Sequence, residues 1–145
     1  MAIASARSAY ESFRAKFADP PWERLSGLGA CTQRPLWAST GTKDPRYSDV
    51  LYVEELVGPE VINTMPEKTL RAFADHGEVT RTLDADPADA RATLADADRA
   101  GIDLNAVTTA LEREGVEAFC ASYHELLGCI EAKLAVLAPA GSASP

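Results

Sequence analysis

Gln33-Arg34-Pro35-Leu36-Trp37-Ala38-Ser39-Thr40-Gly41-Thr42-Lys43-Asp44-Pro45 is the stretch on which the reading of this chain turns. A short apolar run ends abruptly in small hydroxyl residues, a glycine and a lysine. Buried strands that deliver polar groups to the rim of a parallel sheet have this form, and α/β proteins bind ligands at that rim. Apolar residues in succession, rather than alternating, suit a strand covered on both faces, and a strand is predicted over Arg34–Ser39. After the loop Thr40–Tyr47, Ser48 or Asp49 is placed to cap a helix to about Val57, which Gly58-Pro59 breaks. Val61-Ile62-Asn63 reads as a second short strand. Thr64-Met65-Pro66-Glu67 has capping-box spacing and opens a helix to about Asp75, closed at His76-Gly77. Strand, helix, strand, helix in this order is a parallel βαβα unit.

The flanks are helical. Ile3, Ala6, Tyr10, Phe13 and Phe17 recur at spacings of three and four, predicting a helix over residues 3–18 that Asp19-Pro20-Pro21 stops. Pro21-Trp22-Glu23-Arg24-Leu25 starts another helical turn that ends at Gly27 or Gly29. Downstream, Asp86-Pro87 caps a helix through about Ala100, and Asp103 caps another to Glu114. Gly115 separates that helix from a last one to about Leu137. Residues 138–145, with Pro139-Ala140-Gly141-Ser142-Ala143-Ser144-Pro145, are low in complexity and read as a disordered tail. Two parallel strands by themselves leave both outer edges unpaired and do not make a stable sheet, which points to a piece of something larger.

Composition narrows the function classes. The 145 residues are 46% hydrophobic, 25% charged and 7% aromatic, as in a soluble globular protein whose helices pack through small contacts. A net charge of -8 argues against nucleic acid as a partner, because phosphate backbones need a concentrated basic face. Residues 1–82 carry 11 acids and 10 bases, whereas residues 83–145 carry 11 acids and 4 bases, so the excess sits in the second part. An acidic helical face reads as a soluble surface. Cys31, Cys120 and Cys129 have no CxxC spacing and read as reduced thiols, the last two in helix interfaces. With His76 and His124 they form no zinc-ligand pattern, so no metal is expected. Neither a secretory signal nor a membrane span is visible, which places the chain in the cytoplasm and away from membranes.

The blocks Gln33–Pro45, Tyr47–Leu56, Asn63–Leu70 and Asp75-His76-Gly77 resemble consecutive segments of transaldolases of the longer bacterial type. Gly101-Ile102-Asp103-Leu104 and Leu111–Glu117 continue in the same order, so the resemblance runs from about residue 3 to about residue 137. Transaldolases are (β/α)8 barrels that transfer a dihydroxyacetone unit between sugar phosphates of the pentose phosphate pathway, through a lysine Schiff base and without a cofactor. The resemblance therefore implies an α/β chain forming part of a (β/α)8 TIM barrel. Residues 1–82 would be its C-terminal βα units, holding the last two parallel strands, and 83–137 a mostly helical C-terminal extension. The family's lysine lies on a mid-barrel strand that no segment here resembles. On this reading the chain lacks the nucleophile and has a sugar phosphate as substrate and an N-terminal transaldolase-like chain as partner. A non-enzymatic helical binding or regulatory module, or an inactive truncated fragment, is the alternative.

Barrel active sites lie at the C-terminal ends of the strands, which marks Ser39, Thr40, Gly41, Lys43, Asn63 and Thr64 as candidate substrate and phosphate contacts. The Ser39 hydroxyl, backbone N–H groups around Gly41 and the Lys43 ammonium offer donors and positive charge to a dianion. In the family the corresponding strand ends in a phosphate-site serine with a basic group near it. Ser39 matches by position. Lys43 lies farther along the loop and reads equally as a solvated lysine beside Asp44, which favours its charged form. Lys43 is thus no nucleophile, since a nucleophilic lysine needs desolvation or a neighbouring cation. Lys16, Lys68 and Lys133 look exposed on helices. Asn63 reaches substrate hydroxyls or makes a turn hydrogen bond, and Thr64 contacts substrate, caps the next helix, or does both. His76 is expected at its helix C-terminus, His124 at a surface or interface, Trp37 as strand filling with a partner for its N–H, and Arg34 as structural.

Overall fold

Apolar residues three and four apart turn one face of the first helix inward. In the computed structural model, which describes residues 1–137, α1 runs Ala2–Lys16 with Ala4 and Tyr10 buried. The tail expected from residue 138 onward lies outside the described residues. Asp19 caps α2 (Pro20–Gly27), its carboxylate accepting the Trp22 backbone N–H at 3.1 Å. The two prolines stand in the first turn, where their missing N–H groups would have had no partner within the helix. Phe13, Phe17 and Trp22 pack in series across the turn between the helices.

The strands are shorter than the sequence suggests. β1 is Leu36–Trp37 and β2 is Ile62–Asn63, paired parallel with Leu36 opposite Ile62 and Trp37 opposite Asn63. The Ile62 N–H donates to the Pro35 carbonyl and the Thr64 N–H to that of Trp37, each at 2.9 Å. Pro35 has no N–H to extend the ladder, and Ser39 turns into the left-handed region at φ 57°, which confines a strand expected over Arg34–Ser39 to its centre. Trp37 and Val61 pack against the core of Tyr10, Leu56 and Leu83. Alternation puts Leu36 and Ile62 on the opposite face, and Leu36 is 50% exposed there. The expected cover on both faces is therefore absent among the described residues.

Between the strands, α3 (Leu51–Glu54) is one turn long and has Val50 at its N-cap, not Ser48 or Asp49. The Ser48 hydroxyl accepts the Val50 N–H at 3.3 Å instead. The helix does not reach Val57 because the segment at Thr82 takes over that residue's polar groups. The Val57 N–H donates to Thr82 Oγ1 at 3.3 Å, and its carbonyl accepts the N–H groups of Thr82 and Leu83. Leu83 thereby lies over Gly58, where a Cβ would come within 2.8 Å of Leu83 Cδ2. Only glycine permits that approach.

The helix after β2, α4 (Glu67–His76), starts at Pro66 with no side-chain cap, so the capping box at Thr64 does not form. Thr64 is held in the strand ladder, and its hydroxyl lies 3.5 Å from the Trp37 carbonyl. His76 does not serve the helix terminus. Its Nε2 lies 2.9 Å from Asp49 Oδ1 and its Nδ1 3.2 Å from Asp75 Oδ2, tying the end of α4 to the loop before α3. Asp86 caps α5 (Pro87–Arg99) by accepting the Asp89 N–H at 2.9 Å, as its position before Pro87 suggests. α5 packs against α1, with Arg91 paired to Glu11 at 2.6 Å. These elements form one compact unit, Met1–Gly101.

A second unit begins at Ile102 and holds α6, Leu104–Leu137. Asp103 caps it, accepting the N–H groups of Asn105 and Ala106 at 2.9 and 3.0 Å. Gly115 does not divide it. A glycine costs about 1 kcal/mol against alanine in a helix interior, and the good helix formers on both sides outweigh that. Cys120 and Cys129, expected in interfaces, are exposed, as is Cys31, and all three are free. His124 is exposed as expected. Among the described residues no helix is long and apolar enough to cross a membrane.

The His76 tie has a pH signature. Hydrogen bonds donated to Asp49 first, then to Asp75, raise the His76 pKa above its ordinary 6.5, and the bond accepted from His76 lowers that of Asp49 below 3.8. The histidine's contribution is complete below pH 6.5 and fades as pH rises through its raised value. The aspartate's contribution is complete above pH 3.8 and fades as pH falls through its lowered value. Urea unfolding should therefore separate wild type from Asp49→Asn most between about pH 4 and 6.5, with the gap closing at alkaline pH. An NMR titration should show the His76 midpoint falling in Asp49→Asn.

Candidate functional site

The end of β1 carries the candidate residues into a cavity of about 650 Å³. Ser39, Thr40, Gly41 and Lys43 line it, with Trp37 and Tyr52 on its wall. Asn63 and Thr64 do not line it, although β2 brings them alongside. The six residues singled out in the sequence thus divide into four at the cavity and two beside it.

Ser39 is exposed at the point where the chain leaves the strand, in the left-handed conformation. A residue with a Cβ pays about 1–2 kcal/mol to sit there, so its neighbours must hold it. They do so on both sides. Before it, the Trp37 carbonyl accepts the Thr64 N–H. After it, Thr40 is only 4% exposed, and its hydroxyl donates to Asn63 Oδ1 at 2.7 Å. Asn63 therefore makes a strut to the loop after β1, with its acceptor turned to Thr40, and not the turn hydrogen bond of the sequence reading. Next in the chain, Gly41 lies so close to α4 that an added Cβ would stand 3.0 Å from Thr69 Oγ1 and 3.4 Å from Pro66 Cγ.

Lys43 is exposed and forms no ion pair among the described residues. The adjacency of Asp44 suggested a partner, but Asp44 is gripped by Arg46, whose Nε and Nη2 donate to its two oxygens at 3.1 and 2.7 Å. Those bonds hold the Asp44 carboxyl below its ordinary range. The ammonium of Lys43 is left to face the loop with no competing carboxylate bound to it. Two further polar atoms, Trp37 Nε1 and Thr42 Oγ1, are buried without a protein partner, and both residues line the cavity. The N–H partner expected for Trp37 is thus not found among the described residues. Thr42 escaped the sequence reading because nothing in a run of hydroxyl residues tells which one turns inward.

Chemically, the rim offers a serine hydroxyl, an ammonium and donor groups, which suits an oxyanion. Among the described residues no three His, Cys, Asp or Glu side chains come together as metal ligands. Lys16, Lys43, Lys68 and Lys133 are all exposed.

Comparison with known proteins adds two findings. Residues 1–130 match the family model described as transaldolase/fructose-6-phosphate aldolase. Proteins named transaldolase from Parafrankia sp. (strain EAN1pec) and Arthrobacter sp. (strain FB24) are 52% and 53% identical over 134 residues, 92% of this chain and 36% of each relative. One from Renibacterium salmoninarum is 49% identical over 143 residues, 98% of this chain and 38% of that protein. The chain spans a little over a third of the length of the relatives it matches.

The close seat of Gly41 is testable by substitution. Gly41→Ala should lower the unfolding free energy by about 1–3 kcal/mol, the usual cost of forcing an extra methyl into packed surroundings. Gly27→Ala, with nothing within 4 Å of its added Cβ, should stay within about 0.5 kcal/mol of wild type in the same urea titration.

Proposed function

The chain belongs to the transaldolase/fructose-6-phosphate aldolase family, and we propose that it supplies the C-terminal βα units of a transaldolase barrel. Residues 1–82 contribute the last two strands with their helices, and residues 83–137 a helical extension whose first helix returns to α1. The rim from Ser39 to Lys43 holds the phosphate of a sugar phosphate. The Ser39 hydroxyl and the Lys43 ammonium carry that role, and the buried polar atoms of Trp37 and Thr42 add groups that a ligand can satisfy. The Schiff-base lysine comes from a complementary chain with the earlier strands, and the two chains together transfer a dihydroxyacetone unit between sugar phosphates in the cytoplasm. No cofactor is needed.

One observation carries this reading: the two-stranded sheet is bare where a barrel would be closed. Ladder geometry leaves the N–H and C=O groups of Leu36 and Asn63 on its outer edges, and the half-exposed Leu36 lies on the face away from the helices. Relatives about two and a half times as long have chain enough to supply the missing strands. A second reading, a non-enzymatic helical binding module, draws on α6, where Phe119, Tyr123, Leu126 and Leu134 are exposed.

Borohydride trapping distinguishes them. The purified chain with fructose 6-phosphate should yield no reduced adduct by mass spectrometry. Addition of a complementary N-terminal transaldolase chain should yield one on that chain's lysine. A trapped adduct on Lys43 of the isolated chain would overturn the proposal, and failure of any complementary chain to bind would favour the binding module.

A further inference from the structure

We infer that Thr40 is a positioning residue and not a ligand contact: its bond to Asn63 holds Ser39 in the conformation that presents the serine hydroxyl at the rim. The inference deepens the proposed function, because it rests on reading that rim as an anion site.

An O···O separation of 2.7 Å requires a proton between the atoms, and only the threonine hydroxyl can supply one to Asn63 Oδ1. Thr40 borders the cavity but is only 4% exposed, and its one hydroxyl proton is committed to Asn63. Its neighbour Ser39 has φ 57°, a conformation that a serine keeps only when its surroundings impose it. Three anchors surround it, and all come from the segment after Val61. Thr64 holds the carbonyl of Trp37, Asn63 holds the side chain of Thr40, and Pro66 and Thr69 hold the backbone at Gly41. The first is a backbone bond and the third is packing. The Thr40–Asn63 bond alone joins two side chains, and it acts on the residue immediately after Ser39. Losing it frees the peptide that follows the strained residue, while the strand ladder and the Gly41 contact remain.

The test uses the full chain and two readouts by NMR. The intraresidue amide-to-Hα Overhauser effect at Ser39 is strong when φ is positive. It should be strong in wild type and in Thr40→Ser, which keeps the donor, and should weaken in Thr40→Val, which keeps the shape and loses it. Titration with inorganic phosphate should show affinity falling about fivefold in Thr40→Val, the scale of one hydrogen bond, and returning to within about twofold of wild type in Thr40→Ser. Should Thr40→Val fail to fold, Asn63→Asp replaces it as the decisive variant: the acceptor survives there, so Ser39 must stay left-handed. An unchanged Ser39 signal in folded Thr40→Val, or its loss in folded Asn63→Asp, overturns the inference. If wild type shows no phosphate-induced shifts, the reading of the rim as an anion site fails. The Ser39 signal decides the positioning role independently of that result.

Discussion

A parallel ladder satisfies only half of each strand's backbone polar groups; the other half must find a partner across the opposite edge. Much of what is unusual in this chain follows from having two strands to meet that demand. β1 and β2 are two residues each, and their outward N–H and C=O groups face edges with no neighbouring strand among the described residues. Helices α1, α3 and α5 with the segment at Leu83 build a real core on one face, where Leu83 is 1% exposed. On the other face Leu36 is 50% exposed, with no such cover from the described residues of this unit. The described residues thus bury one face of the sheet under helices and leave Leu36 half exposed on the other.

The rim is tied down locally although the sheet is small. The loop after β1 does not depend on sheet extension. It is tied locally, by Thr40 to Asn63 and by the close approach of Gly41 to α4, with Asp44 and Arg46 closing the loop on itself. The rim draws on the two strand ends and the start of one helix, and the phosphate role proposed for it needs no more of the sheet than that.

Much of the fold was legible in the sequence because the deciding residues act locally. Asp19-Pro20, Asp86-Pro87 and Asp103 announce helix starts through their own hydrogen bonds, and the apolar successions at Leu36 and Ile62 announce strands. Ser39 and Gly41 were marked by position alone. The misreadings share one cause, which is competition from residues far along the chain. Thr64 could cap α4 but is engaged by β1. The helix expected to Val57 loses its last residues to Thr82, and His76 is drawn to Asp49 across the unit. The strut between Thr40 and Asn63 spans 23 positions, and the buried hydroxyl of Thr42 has no pattern of its own. No local spacing contains either.

The central claim is that the open sheet is completed by other strands, and backbone amide hydrogen exchange measures this directly. In the isolated chain the Leu36 and Asn63 amides should exchange much faster than those of Ile62 and Thr64, which are bonded within the ladder. On mixing with a complementary N-terminal transaldolase chain, the Leu36 and Asn63 amides should become protected together. Amides already protected in the isolated monomer, or unchanged by the mixture, would contradict the account.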